Sequence, residues 1–166
     1  MAITDERFTT TDLLTVSRYM LIALDHERLK MWHRKGVVPG DPVGHGNERT
    51  YSFAELVYVL CLAIVTYRVP YLGEAGGFAR FIASEILKVY SESGGDANAC
   101  ESAPAYLIVS PSGDYKIRDF DAQVLTYTSW GPFPIFIGSL ALDIGAYASG
   151  VIGERNATTE AEQTES

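Results

Sequence analysis

The sequence has few cysteines and no sign of a secretion signal. Its 166 residues include only two cysteines, Cys61 and Cys100, which lie far apart and match no metal-ligand spacing, so no disulfide framework or zinc site is predicted. No basic segment followed by an apolar run opens the chain, and we expect it not to be secreted. The histidines at positions 26, 33 and 45 include no pair four residues apart, which predicts no metal site, and we expect no cofactor.

Long uncharged apolar runs and catalytic motifs are also missing. Residues 133 to 153 have the length of a bilayer span, but Pro134, Asp143 and several glycines interrupt them, so no membrane contact is predicted. Serine, histidine and aspartate occur without a nucleophile elbow or a paired-acid arrangement. We therefore predict that the protein is not an enzyme.

Basic residues are scarce in the second half of the chain. The formal net charge is -8, yet residues 1 to 88 contain ten Lys and Arg against ten Asp and Glu, whereas residues 89 to 166 contain three against eleven. Only the first half is therefore suited to a polyanion. Five of its basic residues lie between positions 28 and 49, close to all three histidines, and such a local basic patch is what a phosphate backbone requires.

Helical periodicity and capping residues predict two helices at the start of the chain. The first is expected from Phe8 to about Leu24, with a threonine at position 9, 10 or 11 as N-cap and Asp12 in or near its first turn. Asp25 is the expected N-cap of the second, which is predicted to run to Lys35 and to end at Gly36 in the left-handed conformation.

A turn-rich segment and a third helix follow. Residues 37 to 47 are rich in glycine and proline, which predicts a loop or β-hairpin. The third helix is expected from Phe53 to Tyr67, with Ser52 and Glu55 as a capping box. Pro70 and the glycines that follow it then predict a break before another amphipathic helix at residues 78 to 90.

The composition predicts two domains separated by a linker. Residues 91 to 104 are glycine-rich and acidic, so we expect them to separate a DNA-binding domain at residues 1 to 90 from a small domain at residues 105 to 155. The polar residues 156 to 166 are predicted to be a disordered tail. Within the second domain we expect a hairpin of strands 106 to 110 and 115 to 118 around the turn 111 to 114, strands at 124 to 127 and 135 to 137, and a closing helix at 140 to 152.

The second helix carries the most informative pattern. At 100° per residue, Leu29 and Trp32 fall on a stripe with Asp25 and Gly36 that is expected to face inward. An adjoining arc, which we call the basic face, contains His26, Lys30, His33 and Arg34. A short helix with an aromatic anchor on one side and a basic strip on the other suits the major groove of DNA.

This stretch resembles the winged-helix domain of the MerR family of transcriptional regulators. The similarity covers residues 25 to 57 well and residues 8 to 24 more weakly, and is carried by Leu29, Lys30, Trp32, Gly36, the apolar pair Val37 and Val38, a proline-containing wing, and Arg49 and Tyr51 at an Arg-x-Tyr position. In place of the family's glutamate stands His33, and no long dimerisation helix or cysteine effector site is predicted. The resemblance implies DNA binding and a homodimer, not metal sensing.

The expected fold is thus a mainly α N-terminal winged helix-turn-helix domain plus a small α+β C-terminal domain. The expected function is that of a cytoplasmic, bacterial or phage-encoded transcriptional regulator that binds double-stranded DNA as a homodimer. The predicted DNA-binding residues are His26, Glu27, Arg28, Lys30, His33, Arg34, Lys35, Arg49 and Tyr51.

Alternative interpretations remain open at this level. The basic face is also compatible with an ordinary solvated helix surface. The run from Tyr51 to Val57 also resembles winged-helix antitoxin-type proteins, whose acidic half would bind a protein partner, and a phage excision or packaging factor is a third alternative. In the second half, Tyr127 and Trp130 fit either a small-ligand pocket or a core.

Overall fold

The described residues form mainly helices with two small antiparallel sheets, and the chain divides into two compact units. The first unit contains residues 1–60 and 143–166, and the second contains residues 61–142. None of the described helices has both the length and the apolar character needed to cross a membrane. The computed structural model describes residues 2–39, 49–94, 100, 102–109, 116–119 and 133–164.

The first unit opens with a 3-10 turn, Ile3–Asp5, and a short strand, β1 (Arg7–Thr9), before the first helix, α1 (Thr10–Tyr19). Thr9 caps this helix, because its hydroxyl accepts from the Asp12 N–H while the Asp12 carboxylate accepts from the Thr9 N–H. The predicted cap and first turn are confirmed. The predicted span of residues 8 to 24 is too long at both ends, since strand pairing takes the start.

The end of α1 is set by a Schellman motif that no glycine announces. The N–H groups of Leu21 and Ile22 donate to the carbonyls of Arg18 and Ser17, and Leu21, a residue that is 93% exposed, adopts a φ of 56°. Glycine is the usual residue at this left-handed position. A leucine there leaves no sequence signal, so the sequence predicts a helix that continues to Leu24 although α1 ends at Tyr19.

The second helix, α2 (His26–Arg34), confirms its prediction closely. The Asp25 side chain accepts from the Arg28 N–H at the start. Gly36 has a φ of 65° and ends the helix with the same motif that closes α1. Leu29 and Trp32 are 2% and 1% exposed, so the predicted inward stripe is confirmed for both. It is wrong for Asp25 and Gly36, which are exposed because they flank the helix at its two ends.

A strand links α2 to the third helix. Strand β2 (Thr50–Ser52) pairs antiparallel with β1, with Phe8 opposite Tyr51. Helix α3 (Phe53–Val65) then begins with the predicted capping box, in which the Ser52 N–H donates to the Glu55 carboxylate and the Glu55 N–H donates to the Ser52 hydroxyl. Most of the loop or hairpin predicted at residues 37 to 47, from residue 40 onward, lies outside the described residues.

The last helix, α5 (Ile137–Thr164), contributes its second part to the first unit. Arg155 donates to the Asp12 carboxylate at 3.0 Å and to the Arg7 carbonyl at 3.0 Å, and Tyr147 stacks on Tyr19 with ring centroids 5.6 Å apart. The prediction of a disordered tail from residue 156 is wrong up to residue 164, because these residues are helical. The 28-residue helix is far longer than the one predicted at residues 140 to 152. Alanine, glutamate and arginine in this segment favour helix, and Arg155 fixes it to α1.

The second unit contains a 22-residue helix, α4 (Leu72–Ser93), and a three-stranded sheet. The glycines at 73, 76 and 77 lie inside α4 rather than breaking it, and the predicted start at residue 78 is wrong. The reason is tertiary packing, because a buried stripe at Ala75, Ala79, Ile82 and Ile86 continues through them. Residues 91–93 end this helix, so they do not form the linker expected there.

The sheet of the second unit has the strand order β4-β3-β5, all antiparallel. Its strands are β3 (Ala105–Val109), β4 (Lys116–Asp119) and β5 (Phe133–Phe136). The predicted pairing of the first two and the predicted strand near residue 135 are confirmed. The turn at 111 to 114 and the strand expected at 124 to 127 lie outside the described residues. The predicted boundary at 91 to 104 falls within this unit.

Candidate nucleic-acid interface

Helix α2 presents the basic face to solvent. The side chains of His26, Lys30 and Arg34 are exposed, and His33 beside them is half-buried. Positions four residues apart on a helix are separated by about 6 Å along its axis, so the three exposed side chains follow one another along a single edge. The adjoining side of the helix, with Leu29 and Trp32, is the part that packs into the unit.

The basic face forms one wall of a concavity in the first unit. This basic concavity has a volume of about 330 Å³. Three side chains with a full positive charge line it, and no carboxylate of the described residues does. A concavity lined by cations, with no carboxylate among its described lining residues, attracts anions. The lining residues are Thr10, His26, Leu29, Lys30, His33, Arg34, Arg49 and Tyr51.

Pairing of β1 with β2 brings Arg49 to the basic concavity. The Arg49 carbonyl accepts from the Thr10 N–H at 3.2 Å, which fixes the backbone next to the first turn of α1. The Arg49 side chain reaches α2, where its Nη1 lies 2.7 Å from Nδ1 of His33. Arg49 is therefore fixed at its main chain and at its guanidinium by two different elements.

His33 connects Arg49 to Tyr51. A guanidinium can only donate, so Nδ1 of His33 accepts and the ring is neutral with its proton on Nε2. That Nε2–H donates to the Tyr51 hydroxyl at 2.7 Å. Burial and the nearby Arg49 charge lower the pKa of His33 below its usual 6.5, and a hydrogen bond with the Val38 backbone raises it by less. The lowered pKa agrees with a neutral ring.

The structure brings six of the nine predicted site residues together at the basic concavity. The other three, Glu27, Arg28 and Lys35, do not line it. Arg28 turns back on its own chain, with Nη1 donating to the Ala23 carbonyl at 2.8 Å and the guanidinium carbon 5.0 Å from the centre of the Trp32 ring. Glu27 and Lys35 are exposed at the two ends of α2.

Sequence reasoning missed Thr10 and Leu29 as lining residues. Leu29 was assigned to the core, and it is buried while its edge borders the basic concavity. Thr10 reaches the site only because residues 7–9 pair with residues 50–52, and no local pattern in the sequence announces that pairing.

Other kinds of site find less support in the described part of the chain. No group of three or more His, Cys, Asp or Glu side chains there is arranged to hold a metal ion. In the second unit, an apolar concavity beside Ile64 and Phe136 has a volume of about 160 Å³, which is smaller than the roughly 300 Å³ of the smallest common ligand pockets. Tyr127 and Trp130, the predicted pocket residues, lie outside the described residues.

Comparison with known proteins adds no family to this description. No protein-family model matches the chain, and no curated protein matches it.

Proposed function

We propose that this protein binds double-stranded DNA, with α2 in the major groove and Arg49 on the adjacent backbone, as a MerR-like winged helix-turn-helix regulator. The observation that carries the proposal is the basic concavity, where Lys30, Arg34 and Arg49 stand together without a carboxylate of the described residues. Phosphate contacts from such residues provide most of the affinity of proteins for duplex DNA.

The shape of the surface favours a duplex over a small anion. A helix of nine residues is about 13 Å long and, with side chains, about 10 to 12 Å wide, which fits a major groove about 12 Å wide. The exposed edge at positions 26, 30 and 34 runs along α2 instead of converging on one point. Two consecutive helices joined by a short connection, α1 and α2, also follow the order of elements in a helix-turn-helix, and β1 before them pairs with β2 after them.

Regulation by a homodimer is part of the same proposal. A symmetric dimer would place two copies of α2 in successive major grooves, so the operator is expected to contain two half-sites about 10 base pairs apart, or a multiple of that distance. Footprinting with the purified protein on a duplex selected from a random library measures this spacing. A single unrepeated half-site would contradict the dimer.

The test of DNA binding is fluorescence anisotropy with a labelled selected duplex. We expect Lys30→Ala combined with Arg34→Ala to weaken binding about tenfold or more, because two phosphate contacts are lost. Lys88→Ala is the matched control, since this exposed lysine of α4 belongs to the second unit. Equal affinity of the double variant and the wild type, or no binding by the wild type at low salt, would refute the proposal.

A further inference from the structure

We propose that His33 is a positioning residue that touches no DNA itself and holds Arg49 ready for a backbone phosphate. This inference rests on the proposed function and assigns His33 and Tyr51 a different role from the direct contact that the sequence suggests for both. Its basis is the chain of hydrogen bonds from Arg49 through the imidazole to the Tyr51 hydroxyl.

Both nitrogens of the imidazole already have partners. Nδ1 faces Arg49 and Nε2 faces Tyr51, each at 2.7 Å, and an imidazole has no third polar atom. A direct hydrogen bond from His33 to a phosphate or a base would therefore break one of these two. Tyr51 is 0% exposed and lies on the inner side of His33, where it fixes the ring and cannot reach a duplex.

Arg49, by contrast, keeps the capacity to bind. A guanidinium has five N–H donors, and the bond to His33 uses one nitrogen, Nη1. An arginine side chain without such a partner loses conformational freedom when it binds a phosphate, which lowers affinity. Because His33 holds the guanidinium and Thr10 holds the Arg49 main chain, most of that ordering is complete before DNA arrives.

The surroundings require a neutral ring for this role. The titratable groups lining the basic concavity with His33 are His26, Lys30 and Arg34 from α2, and Arg49 and Tyr51 from the β2 side, while α1 contributes the uncharged Thr10. A protonated imidazole would carry two donors and no acceptor, so it would repel Arg49 instead of orienting it. Desolvation and the Arg49 charge oppose that protonation.

A double-mutant cycle in the full chain separates positioning from direct contact. We expect His33→Leu to weaken duplex binding about tenfold, the size of one charge-assisted hydrogen bond, and His33→Gln to restore it, because a Gln carbonyl can accept from Arg49 and its amide can donate to Tyr51. The variant His33→Leu/Arg49→Ala should bind no more weakly than Arg49→Ala alone, since His33 acts only through Arg49.

His26 supplies the matched control on the same helix and in the same concavity. Its ring is exposed, so the loss from His26→Leu should add to that from Arg49→Ala. Nitrogen-15 NMR of the wild-type histidine rings gives a second measurement that needs no variant. We expect His33 to show the neutral Nε2–H tautomer and to keep it when the duplex is added.

Several results would overturn the inference. Additive losses from His33→Leu and Arg49→Ala would make His33 a direct contact, and a change of His33 tautomer on DNA binding would do the same. Wild-type affinity of His33→Leu would show that Arg49 needs no positioning. If the wild type binds no duplex at low salt, the proposed function itself fails, whereas the other outcomes leave DNA binding intact and reject only the role of His33.

Discussion

Replacement of Arg34 by alanine should change how the affinity for DNA depends on salt. Arg34 is exposed on α2 and lines the basic concavity with Lys30 and Arg49. Each phosphate that a cation neutralises releases counterions and contributes about 0.9 to the slope of log affinity against log salt. The three cations together therefore account for a slope of about -2.7, and the variant should lose one third of it.

The expected size of the effect follows from that slope. A fourfold rise in salt, from about 50 to 200 mM, weakens binding about 3.5-fold for each phosphate contact. The contribution of the three cations is then about 40-fold in the wild type and about 12-fold in Arg34→Ala. Alanine is a strong helix former and position 34 is exposed, so the fold of α2 is expected to be unaffected.

Anisotropy titrations of one labelled duplex at four salt concentrations measure both slopes. Lys88→Ala controls for a general change in net charge, because it removes the same charge from an exposed position in the second unit. A slope for Arg34→Ala equal to that of the wild type would show that Arg34 neutralises no phosphate. A parallel drop in the Lys88→Ala slope would show that net charge, not the basic concavity, sets the salt dependence.

Three further predictions concern stability, and each is measured by thermal or urea unfolding. Ser52→Ala should lower the free energy of unfolding by about 1 kcal/mol, because the capping box of α3 is lost, whereas Ser84→Ala on the exposed side of α4 should change it by less than about 0.5 kcal/mol; equal losses would contradict the cap. Leu21→Gly should raise the free energy of unfolding by about 0.5 to 1 kcal/mol and Gly36→Ala should lower it by about 1 kcal/mol, because both residues have a left-handed backbone. If both substitutions changed the free energy of unfolding in the same direction, the left-handed conformation at one of the two positions would be refuted. The pKa of His33 is lowered in the folded state, so the unfolded chain takes up the proton more readily and the free energy of unfolding falls as the pH drops below about 6.5. His33→Gln should remove part of this fall. Identical pH profiles of stability for the variant and the wild type would refute the prediction.

Local chemistry made the helix starts predictable. Asp25 before α2 and Ser52 with Glu55 at α3 are short-range signals, in which a side chain satisfies an N–H group three residues away. Gly36 is an equally local signal at a helix end. At the end of α1, Leu21 adopts the same left-handed conformation as Gly36. Leucine does not indicate such a conformation, so the predicted helix is too long.

Long-range contacts account for what the sequence did not reveal. The pairing of residues 7–9 with 50–52 joins segments about forty residues apart, and no periodicity specifies which strands meet. The glycines inside α4 have low helix propensity, yet burial of Ala75 and Ile82 on one face outweighs it. Contacts between segments distant in the sequence therefore determine both the strand pairing and the extent of α4.

The sequence predicted which residues lie at the candidate site better than it predicted what each of them contacts. Periodicity correctly placed Lys30 and Arg34 on an exposed edge of α2. It did not show that Arg28 turns onto Trp32, because an arginine on a helix can reach either side. Nor did it show that Tyr51 points inward, since that depends on the partner strand.

The first unit is built from two segments that are far apart in the chain. Residues 61–142 are inserted between the two segments that build this unit, and Arg155 near its end binds the same Asp12 carboxylate that caps α1. Most chains complete their N-terminal domain while the ribosome is still at work on the rest. Here residues 1–60 share one unit with residues 143–166, so the contact between Arg155 and Asp12 can form only after the inserted residues 61–142 have been synthesised.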